Sequence, residues 1–205
     1  LRPIGGRHCA KNLLIVGNPI TPHAGRLPFA EQEAMTVAKL FPGSELLLGK
    51  AATSDAVRHL ARRFSCLHIA SHASFNSSDP TGSALVLSPS GDDREGLLSV
   101  TDVEALRLDA DLVVLSACET AVSEVSPGDE LLGLTYAFLH AGASAVLSSL
   151  WQIEDEATAL FMQRYYRALK TGSADQALQH AQRDLIADAT YHHPYYWAAF
   201  QLTGR

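Results

Sequence analysis

Only three of the 205 residues are cysteine, Cys9, Cys66 and Cys118. An odd number at wide spacing makes a poor disulfide framework, and it predicts a reducing, cytoplasmic setting. No apolar run reaches the ~18 residues that a membrane-spanning helix needs. The opening residues, Leu1 to Ala10, lack the apolar stretch of a secretory leader and begin without methionine. Together with the length, this predicts one domain, 1–205, forming the C-terminal part of a larger protein. Positive charge is also scarce: 16 Lys and Arg stand against 22 Asp and Glu, a net charge of −6. The densest basic cluster is the pair Arg62 and Arg63, which argues against nucleic acid as a direct ligand because phosphate binding needs clustered cations. No Gly-x-Gly-x-x-Gly or Walker signature follows an expected strand, so a flavodoxin-like nucleotide or phosphate site has no motif behind it. His68, His72 and Cys118 have no fourth ligand at metal spacing, and neither metal nor cofactor is expected.

What is present is an alternation of short apolar runs and helical segments, the pattern of a mostly parallel α/β sheet. Expected strands are 13–16, 45–48, 66–70, 112–115 and 143–150, with a possible last strand over 195–202. Expected helices cover about 29–41, 53–63, 101–106, 128–140, 154–170 and 174–187. Segments 84–87 and 96–98 read as a hairpin insertion. The segment 128–140 is apolar nearly all round, which predicts a buried helix.

Two expected strands lead into residues with chemistry. One runs into Ser71-His72-Ala73, the other into Ser116-Ala117-Cys118-Glu119. In open parallel sheets, ligands bind beyond the carboxyl ends of strands. Neighbouring strands lie ~4.8 Å apart, so adjacency of these two would bring His72 and Cys118 together. A thiolate beside an imidazole is a nucleophile with its proton donor at hand. The order His before Cys excludes the papain arrangement. One His and one Cys do not by themselves separate catalysis from packing, since free cysteine is among the most buried residue types. His68, alternating with Leu67 and Ile69, reads as a core histidine. Asp129 and Glu130 read as carboxylates at a helix start.

The blocks LVVLSACETA (112–121), GDELLGLTYAFLHAGASAVLSSLWQIEDEAT (128–158), YYRALKTGSADQALQHAQ (165–182) and HPYYWAAFQLTG (193–204) resemble the CHAT family, caspase-related domains often found behind tetratricopeptide repeats. LHIASHASF (67–75) is similar to the histidine motif of that family, and Gly17-Asn18-Pro19 followed by Leu27-Pro28-Phe29-Ala30 fits its early layout. The resemblance covers about 13–204. It implies a caspase-like three-layer sandwich with about six strands and a cysteine peptidase with His72 and Cys118 as catalytic dyad. It further implies backbone N–H groups of Ala73 and Cys118 as oxyanion donors, and a regulatory domain fused upstream or a separate activator.

Two positions depart from the family pattern: Ala73 and Ala121 stand where glycine is usual. If position 73 needed a positive φ, alanine there would cost ~1 kcal/mol or more. That departure supports a second reading, a catalytically weak or inactive CHAT module used for regulation or protein interaction. Ser149 to Asp155 resembles the corresponding block of separases, in which an aspartate reads an arginine before the cleaved bond. This places Asp155 at the floor of a substrate pocket and predicts cleavage after Arg, then Lys; Trp151 reads as core or pocket rim, and Glu119 as facing substrate or supporting the loop by hydrogen bonds. The competing role for Asp155 or Glu154 is to cap the next helix.

Overall fold

The five residues of β1 (Leu13–Gly17) are all buried, as a central strand covered on both faces requires. A computed structural model describes residues 9, 12–22, 24–74, 82–119 and 132–204, apart from the side chains of 117–119. β1 pairs in parallel with β2 (Glu45–Leu48) and with β3 (Cys66–Ser74). β3 pairs in parallel with β6 (Leu112–Glu119), and β6 with β7 (Ala145–Ser149). β8 (Phe200–Gly204) closes the edge antiparallel to β7, giving the order β2-β1-β3-β6-β7-β8. The hairpin of β4 (Ala84–Val86) and β5 (Leu97–Ser99) hangs antiparallel on the last residues of β3.

The helices are α1 (Pro28–Leu40), α2 (Ser54–Leu60), α3 (Val100–Ala105), α4 (Leu132–Ala141), α5 (Asp155–Leu169), α6 (Ala174–Ile186) and α7 (Pro194–Trp197). Strand alternation divides the apolar side chains between two layers. Leu14, Val16, Leu67, Ile69, Val113 and Leu115 pack with Val57, Val103, Leu134 and Phe138 from α2, α3 and α4. Leu13, Ile15, Leu112 and Val114 pack with Val37, Phe161, Tyr165, Tyr166 and Ala177 from α1, α5 and α6. Each fully buried Leu, Val or Phe contributes about 1.5–3 kcal/mol. The result is helix–sheet–helix, the caspase-like three-layer sandwich. No helix among the described residues is long and apolar enough to cross a membrane.

Three start signals fix helix ends. Thr53 accepts from the Ala56 N–H, Ser99 and Asp102 form a capping box, and Ser173 with Gln176 forms another. Gly17 lets α1 lie close on the sheet: a Cβ there would stand 2.6 Å from Ala34 Cβ.

Several expectations need correction. β3 and β6 run several residues further than expected, so His72 and Cys118 sit inside paired strand rather than beyond it. The reason is β4, which supplies hydrogen-bonding partners to 72–74 after β1 has ended at Gly17. The stretch 195–202 is not one strand. Pro194 starts a short helix, as proline does at a first helical position, and the strand begins at Phe200. α4 is described only from Leu132, and its Tyr136 is 61% exposed, so it is not buried all round. Cys9 and Cys66 are disulfide-bonded across 57 residues of sequence. Adjacent parallel strands bring them together: β1 opens with Leu13 level with Cys66, and the Cys66 N–H donates to the Asn12 carbonyl. Cysteine usage therefore gives no support to a reducing compartment.

Candidate active site

His72 is brought to the carboxyl edge of the sheet by β3, and the register sets it level with Cys118 of β6. The Cys118 sulfur, and the expected approach of sulfur to imidazole, lie outside the described residues, as do Ala121, Asp129 and Glu130. The His72 ring itself is well defined. It is 3% exposed, and its Nε2 lies 2.7 Å from the carbonyl oxygen of Gly25. A carbonyl only accepts, so Nε2 carries the proton. Nδ1 is buried and has no partner among the described residues. The ring is thus held at one nitrogen, and among the described residues the other is unpaired.

That holding carbonyl comes from the loop between β1 and α1, and Asn18 gives the loop its shape. Asn18 is buried with φ of 44°, the left-handed region that asparagine tolerates better than most residues. Its N–H donates to the Ala70 carbonyl at 3.0 Å. Its Oδ1 accepts from the Leu27 N–H at 2.8 Å, and its Nδ2 donates to Glu31 Oε2 at 2.6 Å. Arg26 reaches the same Glu31 oxygen at 2.9 Å. Both ends of the loop are therefore tied near β3, with Gly25 between them. Sequence reasoning missed this carbonyl, because a backbone acceptor leaves no residue-type signal; Asn18 after Gly17 was the visible trace.

Ala73 is fully buried in the layer under α2 to α4 and pairs with Leu85 and Glu119. It is not among the described residues of positive φ. The strain expected for alanine at this position is absent.

Asp155 is the first residue of α5. Neither it nor Glu154, at the N-cap, makes a side-chain cap. Its half-buried carboxyl lines a narrow cavity with Leu27, Ala30, Glu33, Ser71, Ser116 and Thr158. Burial pushes its pKa above the ordinary aspartate range; nearby His72 opposes that rise and Glu33 adds to it. Trp151 is partly buried, and its indole N–H donates to the Tyr195 carbonyl at 2.9 Å. The Tyr195 hydroxyl donates to the Gln152 carbonyl at 2.8 Å, and the Leu150 N–H to Ala199. The segment before Asp155 is thus fastened to α7 and β8. Of Glu119, only the backbone position opposite Ala73 is described.

His68 is a core histidine, as expected, but it is not isolated. It is fully buried, with Nδ1 3.0 Å from the Tyr166 hydroxyl and Nε2 3.0 Å from Glu33 Oε1. The second contact has hydrogen-bond length although the N–H is poorly aligned with the oxygen. Among the described residues no cluster of His, Cys, Asp and Glu suits a metal ion.

Comparison with known proteins gives a consistent placement. Human tetratricopeptide repeat protein 28 is 32% identical over 235 residues, covering 93% of this chain, and the mouse protein matches equally well. The chain spans only 9% of the length of these curated relatives. Among solved structures, the Arg-specific cysteine proteinase gingipain R superposes with a TM-score of 0.58 at 12% identity, over 98% of this chain and 47% of that one. Saccharomyces cerevisiae separase, in complex with securin, gives 0.58 at 13% identity, over 95% of this chain and 12% of that one. At such identities these structures share the fold. The model of the CHAT domain family matches residues 2–205, and the chain belongs to that family.

Proposed function

We propose that this domain is a cysteine endopeptidase. The observation that carries the reading is the position of His72: level with Cys118 in the strand register, its Nε2–H held by a carbonyl and its Nδ1 without a partner among the described residues. In this reading the Cys118 thiol passes its proton to His72 Nδ1, and the thiolate attacks the scissile carbonyl carbon, forming a C–S bond as the C=O π electrons move onto oxygen. Backbone N–H groups of Ala73 and Cys118 stabilise the oxyanion. The C–N bond then breaks, and His72 gives the proton on Nδ1 to the departing amine. Water hydrolyses the thioester and returns the acid and the free thiol. The Gly25 carbonyl fixes the ring through Nε2–H, and no cofactor or metal takes part.

Asp155 binds the side chain before the cleaved bond in this proposal. Its carboxyl is disfavoured as an anion by burial, and it is not engaged as a cap. A guanidinium offers such a group two parallel hydrogen bonds. Arg is therefore preferred to Lys, with Trp151 and Glu119 as walls. Incubation with a peptide library should give cleavage after basic residues, lost in Cys118→Ala. Cleavage after acidic residues, or activity surviving that substitution, would refute the reading.

A second reading rests on a different observation. The relatives are tetratricopeptide repeat proteins in which this segment is a small part. A repeat region fused upstream would control the domain, or would use it as a binding module without turnover. An inert chain whose Cys118 resists thiol electrophiles would favour the module.

A further inference from the structure

We propose that Asn18 and Glu31 are positioning residues for the proton transfer at His72: together they set the Gly25 carbonyl against the ring. This rests on the peptidase reading above and goes beyond it in naming two residues that act through Gly25 and on which turnover depends.

Asn18 stands where three parts of the molecule meet. Its backbone carries the pairing of β1 one residue past Gly17, because its N–H donates to the Ala70 carbonyl, two residues before His72 on β3. Its left-handed φ of 44° then turns the chain off the sheet. Its side chain reaches the far end of the loop so begun. Oδ1 accepts from the Leu27 N–H at 2.8 Å, and Nδ2 donates to Glu31 Oε2, in the first turn of α1, at 2.6 Å. The partners fix which way the amide faces, since an N–H must meet the oxygen and a carboxylate must meet the NH2. One residue thus closes the neck of the loop that presents Gly25 to the ring.

The backbone of Asn18 is the independent observation. Among the described residues it is the one non-glycine with positive φ, and it is buried. Such backbone persists where its surroundings over-determine it, and it gathers at functional sites. The rest of the loop is tied down as well. The Thr21 hydroxyl accepts from the Ala24 N–H at 3.2 Å and donates to the Ala24 carbonyl at 3.0 Å, next to Gly25. The Ile20 N–H donates to Ser88 Oγ at 2.8 Å, just beyond the strand β4 that pairs with His72. All of this bears on a single 2.7 Å contact between Gly25 and Nε2. Without that acceptor a neutral imidazole carries its proton on either nitrogen, and only the Nε2–H tautomer leaves Nδ1 ready to take the proton of Cys118.

Glu31 allows positioning to be separated from folding. Arg26 meets the same carboxylate oxygen at 2.9 Å, and the two side chains are 61% and 38% exposed. An ion pair so exposed contributes little to stability, yet its carboxylate holds the amide that closes the loop.

The test combines kcat and KM of the full chain on a peptide cleaved after Arg with 15N NMR of the His72 ring. The unsubstituted chain should show the Nε2–H tautomer. Asn18→Gly accepts the positive φ but loses both side-chain bonds. Its kcat should fall on the order of 10²-fold with KM changed by less than about two-fold, and its ring should show both tautomers. Asn18→Asp should lose as much, because it sets two carboxylates against each other. Adding Glu31→Gln to Asn18→Asp restores the bond with donor and acceptor exchanged, and kcat should return to within about five-fold of the parent. If Asn18→Gly fails to fold, as its circular dichroism would show, Glu31→Ala decides, with an expected fall in kcat of about ten-fold. A folded variant with the kcat and ring signature of the parent overturns this inference and leaves the peptidase reading standing. So does a loss carried by KM, or a double variant no more active than Asn18→Asp. If the unsubstituted chain cleaves no basic peptide, the peptidase reading falls, and this inference with it.

Discussion

The two helical layers of this sandwich differ in kind. Under α2, α3 and α4 the core is built of Leu, Val, Ile, Ala and Phe, and the buried polar side chains on that side, such as Ser54, Thr135 and Ser148, are hydroxyls. Under α1, α5 and α6 lie the buried ionisable groups: Glu33, His68, Tyr165 and Tyr166, with His72 at the edge. Tyr165 is fully buried, its hydroxyl has no partner among the described residues, and burial drives its pKa far above the usual range. Apolar residues would pack that layer more stably. Buried ionisable groups kept in the layer beside His72 and Asp155, and missing from the other among the described residues, separate a face that holds the fold together from one arranged around a site.

The sharpest test of that division is on the functional side. Cys118→Ala and His72→Ala should each lower peptidase turnover by at least about 10³-fold. Melting temperatures should stay close to the parent value if this face is arranged for chemistry rather than for stability. A large loss of stability with either would make this face structural too.

The converse holds for Phe138, fully buried under α4. Phe138→Ala should cost about 3–5 kcal/mol through lost burial and the cavity left behind. Denaturant unfolding would measure it. Turnover per folded molecule should be close to that of the parent, and a selective loss of catalysis would break the comparison.

Asp155 stands between these extremes. Asp155→Ala should reduce kcat/KM on Arg peptides by about two orders of magnitude, on the order of 3 kcal/mol. The sign of its pH effect follows from the raised pKa. Because the folded pKa lies above the unfolded one, the anion is disfavoured by folding. The penalty is fully present at high pH and relieved as pH falls through the raised pKa. Asp155→Asn should therefore slightly raise the melting temperature at neutral pH and flatten its dependence across that window. Binding of an Arg probe should weaken in the same window, as the carboxylate gains its proton.

The sequence was most legible where local signals and burial agreed. Leu13 to Val16 and Leu112 to Leu115 are apolar without interruption and are central strands; Thr53 and Ser99 cap the helices they precede. The alignment of His72 with Cys118 followed from two strand ends and one assumption, adjacency, which the register bears out. What stayed hidden depends on contacts distant in sequence. The Cys9–Cys66 bond needs β1 beside β3, and the Gly25 carbonyl is a backbone atom 47 residues from the ring it holds. The chain from Tyr166 through His68 to Glu33 joins three elements that carry no shared motif. The extension of β3 past Ala70 depended on a hairpin whose docking partner could not be read from its own residues.

The smallest expected effect falls on Ala73, where the two layers meet the proposed oxyanion site. Glycine is usual there in the family, and a positive φ at that position would have made Ala73→Gly a relief of strain. The strand geometry removes that ground. Position 73 lies in extended backbone between β4 and β6, where alanine is unstrained, and its methyl group is fully buried in the apolar layer. Glycine would remove the methyl and add freedom to the unfolded chain, costing about 0.5–1 kcal/mol. At roughly 2–4 °C per kcal/mol for a chain of this size, the melting temperature should drop by a few degrees at most. Turnover should not rise, because the N–H proposed to hold the oxyanion is present with either residue and has no strain to shed. A clear gain in kcat for Ala73→Gly without loss of stability would mean that the strand there is held away from its best geometry. The buried methyl would then be the price of a weaker enzyme, in favour of the regulatory reading.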